Sequence, residues 1–70
     1  MGQTIRRLRK EKGLTQKQLA DAAQVPRICI ARYETGEHEP GMRNAGRLAA
    51  ALGVTLDELV GDDNAIPDNR

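Results

Sequence analysis

Twice in this chain the same six-residue device opens a helix, first as Leu14-Thr15-Gln16-Lys17-Gln18-Leu19 and again as Val54-Thr55-Leu56-Asp57-Glu58-Leu59. In each, a threonine hydroxyl is placed to accept the backbone N–H three residues on. The side chain at that third residue, Gln18 or Glu58, can reach back to the threonine N–H. Leu14 with Leu19, and Val54 with Leu59, bracket the first turn as apolar staples. Start signals this complete commit two stretches of the chain to short helices.

Glycine and proline supply the remaining punctuation. Gly13 closes a first helix read over Gln3–Lys12, whose Ile5 and Leu8 lie on one face. The second helix ends near Ala23. Val25-Pro26 opens a third, because proline in a first turn gives up only an N–H that would be unsatisfied anyway, and Gly36 closes it. Pro40-Gly41 introduces a fourth helix, ended by Gly53, with Met42, Ala45, Leu48, Ala49 and Leu52 as its apolar stripe. Alternating β-branched runs are too few for a sheet. The expected fold is all-α, a compact bundle of five short helices.

Seventy residues make one small domain, which buries only about 60% of its unfolded surface and so needs a tight core. No nucleophile–base pair or phosphate-binding loop is evident, so an enzyme is not expected. The lone Cys29 forms no internal disulfide, and with the lone His38 it cannot build a zinc site; no metal or cofactor is expected. No stretch approaches the roughly 20 apolar residues of a membrane span, so the expected setting is cytoplasmic, without membrane contact. Residues 1–60 read as the folded domain and 61–70 as a polar, flexible tail.

The net charge of +1 hides an uneven distribution. Residues 1–33 carry eight Lys/Arg against two Asp/Glu, a balance of +6, whereas residues 34–70 carry three against eight, a balance of −5. A basic half can face phosphates, although Arg6, Arg7, Lys10 and Lys12 would equally solvate an exposed helix face. The link between the second and third helices says more. Leu19, Ala23, Val25, Ile30 and Tyr33 are apolar, small Ala20 permits close approach, and the turn around residues 22–25 is tight. Two short helices so joined cross steeply, which is the pattern of a helix-turn-helix. The outward face of the second, Arg27, Ile28, Ala31 and Arg32, is then free to enter a major groove.

The run from Ile5 to Gln16, then Leu19-Ala20, then Ile30-Ala31-Arg32-Tyr33-Glu34-Thr35-Gly36, resembles the phage-repressor/Cro-like (lambda-repressor-like) helix-turn-helix family. Leu48 to Leu59 resembles the last two helices of the same family. The likeness spans residues 3–60 and implies a sequence-specific transcriptional regulator, a repressor, that binds double-stranded DNA as a homodimer. It implies base contacts from Arg27, Ile28, Ala31 and Arg32, with Arg27 bridging guanine O6 and N7 and Ile28 meeting a thymine methyl. Gln16 matches a phosphate-holding position at a helix N-terminus, and Thr15, Lys17, Arg43 and Asn44 are further phosphate candidates. Arg9 and Glu34 match a structural ion pair.

Four residues depart from that pattern, at three places. Gln24 stands where the turn commonly has glycine, which costs roughly 1–2 kcal/mol if the backbone is left-handed there. Pro26 replaces a hydroxyl residue at the start of the third helix, and Glu37 and Glu39 bring negative charge to the loop after it. A second reading, an antitoxin or accessory module gripping a protein partner through helix 5 and the tail, draws on the acidic C-terminal half. Val60 and Ile66 are the apolar residues expected in a dimer contact. Tyr33, the sole aromatic, reads as core, which disfavours base stacking and single-strand binding.

Overall fold

Both helix-opening devices form. Thr15 Oγ1 accepts from the Gln18 N–H at 3.0 Å while Gln18 Oε1 accepts from the Thr15 N–H at 2.9 Å. Thr55 and Glu58 repeat the exchange at 3.1 and 2.9 Å. The computed structural model describes residues 1–61, and these comprise α1 (Gly2–Glu11), α2 (Gln16–Ala23), α3 (Arg27–Thr35), α4 (Met42–Leu52) and α5 (Leu56–Gly61). No strand occurs among the described residues. Gly61 is the last residue of α5; the rest of the expected tail, Ile66 included, lies outside the described residues.

Three of the helix ends are built alike. Gly13, Gln24 and Gly53 are left-handed, with φ of 71°, 58° and 72°. After each, an apolar residue sends its N–H to the carbonyl five residues back: Leu14 to Arg9, Val25 to Ala20 and Val54 to Ala49, all at 3.0 Å. This closure satisfies orphan carbonyls and turns an apolar side chain onto the core. Val25 is buried, and Leu14 and Val54 pack at the core margin. Gln24 is the one described non-glycine residue with positive φ.

Ile5, Leu19, Ile30, Leu48, Leu52 and Leu59 are fully buried, so every helix contributes to one core. The second helix packs on α3 and α4, the first on α3, and the fifth on α4 and α1. At the crossing of α1 and α3 the backbones are so close that a Cβ on Gly2 would overlap the Tyr33 carbonyl oxygen. Only glycine fits there.

Three local expectations need correction. The first helix starts one residue earlier, at Gly2, and its last helical residue is Glu11, with Lys12 as its cap. Pro26 precedes α3 as its N-cap instead of lying inside the first turn. Met42, placed on the inward stripe of the fourth helix, is 78% exposed. It is the first residue of α4, and helical side chains tilt toward the N-terminus, so its thioether runs past the end of the core. The stripe itself holds from Ala45 to Leu52.

Candidate nucleic-acid interface

The corner between α2 and α3 determines what α3 can present. Gln24 reverses the chain after α2, Val25 plugs the angle, and Pro26, with φ of −57°, sets the entry to α3. Ile30 and Tyr33 are turned inward, with Cys29 partly covered beside them. The opposite face therefore carries Arg27, Ile28 and Arg32 exposed and Ala31 half-buried. Ile28 is 53% exposed, a large apolar side chain held in solvent between two arginines. Burial of such a group would be favourable by roughly 25 cal/mol per Å² of apolar area covered. The face suits a mixed apolar and hydrogen-bonding surface, which is what the floor of a major groove offers.

The N-terminus of α2 is built around a buried carboxylate. Arg9 Nε donates to Glu34 Oε2 at 2.7 Å, and Arg9 Nη2 donates to Glu34 Oε1 at 3.1 Å. The same guanidinium donates through Nη1 to the Leu14 carbonyl at 2.8 Å. These bonds to Glu34 hold the Arg9 pKa above its ordinary value, against the opposing effect of partial burial. Gln16 Nε2 adds a third donor to Glu34 Oε1, at 3.1 Å. Gln16 thus ties the start of α2 to the end of α3, and one amide hydrogen and its carbonyl oxygen remain for another partner. The N–H groups of the first helical turn have no acceptor within the helix, so this end has anion-binding character.

The other phosphate candidates are dispersed. Thr15 Oγ1 serves as the cap of α2. Lys17 Nζ reaches Asp21 at 3.1 Å, an exposed pair that water and salt weaken. Arg43 is exposed in the first turn of α4. Asn44 is half-buried and donates through Nδ2 to the Tyr33 hydroxyl at 2.9 Å, so its amide already joins α4 to α3. Sequence reasoning noted the negative charge of Glu37 but missed that it faces Arg32, with Nε 3.9 Å from Glu37 Oε2. The glycine stop at Gly36, which folds the chain back over α3, was the available signal. Among the described residues no group of His, Cys, Asp and Glu could hold a metal, and no helix is long and apolar enough to cross a membrane.

A helix-turn-helix family model matches residues 5–59. The chain is 34% identical over 70 residues to the immunity repressor protein of Bacillus phage phi105, covering all of this chain and 49% of that protein. It spans about half or less of the length of the first curated relatives it matches. Among solved structures, the restriction-modification controller protein C.AhdI from Aeromonas hydrophila is 36% identical, with a TM-score of 0.80 over 83% of this chain and 88% of that one. SinR, a master regulator for biofilm formation solved in complex with DNA, is 30% identical, with a TM-score of 0.79 over 84% and 98%.

Proposed function

Because the chain belongs to the helix-turn-helix family, we propose that its residues 1–60 are the DNA-reading unit of a transcriptional regulator that acts as a repressor. The observation that carries this reading is the outward face of α3: Arg27, Ile28 and Arg32 exposed while Ile30 and Tyr33 on the opposite side anchor the helix. Arg27 reads a guanine edge through its two terminal nitrogens, and Ile28 covers a thymine methyl. Ala31 keeps the next turn of the helix slim enough to approach the base pairs. Gln16 and the free N–H groups at the start of α2 hold a phosphate, with Lys17 and Arg43 adding charge along the backbone. Their contribution positions the protein without choosing a sequence.

One such unit covers little surface, and the specific affinity of a small module rises when two copies engage a two-fold site. The regulator accordingly works as a homodimer in the cytoplasm, without enzymatic activity or cofactor. The repressor assignment draws on the phage immunity repressor it resembles. Selection of binders from a random duplex library at low salt, followed by footprinting, tests the reading. Enrichment of a short two-fold motif is expected; a library that stays unenriched at low salt would refute it.

A further inference from the structure

The loop that leaves α3 is fastened back onto the helix it has just left. The Gly36 N–H bonds to the Tyr33 carbonyl at 3.2 Å with φ at 83°, and the His38 N–H reaches the Arg32 carbonyl at 3.2 Å. Thr35 Oγ1 donates to that same Arg32 carbonyl at 3.1 Å and accepts from the Glu37 N–H at 3.4 Å. These bonds return Glu37 to the flank of Arg32, on the outward side of α3. There the carboxylate lies 3.9 Å from Nε, too long for a hydrogen bond but close enough for charge attraction, with the two side chains 48% and 61% exposed.

The edge of the guanidinium that Glu37 faces is the informative detail. Arginine has five N–H donors in a fixed fork, and Nη1 with Nη2 forms one edge that can bond guanine O6 and N7 together, the Nε side forming another. A carboxylate on the Nε side leaves the Nη1–Nη2 edge free. We propose that Glu37 is a specificity-determining residue, which holds Arg32 by its Nε side so that its terminal nitrogens read a base, and which repels the phosphates that would otherwise claim the same arginine. The inference rests on the DNA-reading face proposed above. Water weakens the pair in the free protein; as DNA displaces that water the local dielectric falls and the attraction strengthens. Glu39, two residues on, adds negative charge beside the same helix. It lines with Cys29, Arg32, Tyr33 and His38 a depression of about 260 Å³.

Glu37→Gln, Arg32→Ala and the double variant, titrated on the selected operator and on an unrelated duplex across a range of salt, test the proposal. Glu37 is exposed and its side chain supports no core contact, so all three variants are expected to fold. For Glu37→Gln, binding to the unrelated duplex should tighten about fivefold at low salt, and its slope of log K against log salt should steepen by about one. Operator binding should gain less or weaken, so the ratio of the two affinities falls. In the Arg32→Ala background the same change should leave the ratio where Arg32→Ala has put it. Equal tightening on both duplexes would make Glu37 a diffuse charge and overturn the proposal. A fall in the ratio of the same size without Arg32 would overturn it too. A wild-type chain that prefers no duplex at all defeats the DNA reading and this inference together, an outcome distinct from those in which only the variants misbehave.

Discussion

Arg9 and Glu34 stand 25 residues apart in sequence and are joined by two hydrogen bonds, with only 11% and 4% of their side chains exposed. The pair links α1 to the end of α3, and through Gln16 it also reaches α2. Removing the arginine leaves a buried carboxylate whose remaining side-chain donor is the Gln16 amide. Such breakage is far more costly than the pair's own net contribution, since charge desolvation is no longer offset. Arg9→Ala is expected to lose about 3 kcal/mol of stability in urea denaturation. Arg9→Met combined with Glu34→Leu should recover most of that, because the uncompensated charge is gone. A single variant as stable as wild type would mean that water reaches Glu34.

Gln24 holds φ at 58°, where its Cβ crowds the backbone, and the turn it makes is the one that sets the angle of α3. Glycine adopts that conformation without the penalty, which is worth roughly 1–2 kcal/mol. Against this, glycine makes the unfolded chain more flexible, at about 0.4–1 kcal/mol. Relief of strain is the larger effect. Gln24→Gly should shift the urea midpoint slightly upward at unchanged m-value, and operator affinity should stay the same. The Arg47 side chain bonds the Gln24 carbonyl and not its side chain, so that contact survives the exchange. A clear fall in midpoint refutes the strain argument.

Gly2 should tolerate no side chain. Alanine there gains about 1 kcal/mol of helix propensity, yet its Cβ meets the Tyr33 carbonyl oxygen, a backbone atom that cannot swing away. A Cβ that overlaps a backbone oxygen falls in the upper part, about 2–3 kcal/mol, of the typical overpacking cost, so Gly2→Ala should be destabilising by about 1–2 kcal/mol on balance. Thermal unfolding followed by circular dichroism checks this. An unchanged midpoint would show that α1 shifts off α3 at little cost.

Base reading and phosphate holding should separate cleanly by mutation. Arg27→Ala is expected to lose about 1–3 kcal/mol on the operator, relaxing preference at one position, with a much smaller loss on scrambled duplex. Gln16→Ala should weaken both alike, because a phosphate contact carries no sequence. It should also lower stability by about 1 kcal/mol through the lost bond to Glu34. Equilibrium titrations decide. Equal losses for Arg27→Ala on the two duplexes would remove it from the reading face.

What was legible in the sequence was mostly local. The capping boxes at Thr15 and Thr55 are set by residues three apart, and the left-handed closures at Gly13 and Gly53 by the residue type itself, so both can be read along the chain. The steep corner followed from Ala20, Val25 and Ile30 in order. Where helix ends meet the rest of the molecule, periodicity carried no such information. Met42 belongs to an apolar stripe but lies beyond the surface that the stripe covers. The bonds from Gln16 to Glu34 and from Asn44 to Tyr33 span 18 and 11 residues and depend on how helices dock, which spacing alone does not determine. The close approach at Gly2 is of the same kind.

The placement of Tyr33 makes the molecule report on itself. It is the only aromatic side chain, with no tryptophan to accept its excitation energy. It is 6% exposed, its hydroxyl is held by Asn44 of α4, and its carbonyl lies against Gly2 of α1. Its emission and its near-ultraviolet dichroism therefore come from the single point where α1, α3 and α4 meet. Loss of that signal before the far-ultraviolet signal would reveal helices that have come apart while still wound, and coincidence of the two would establish a single cooperative transition.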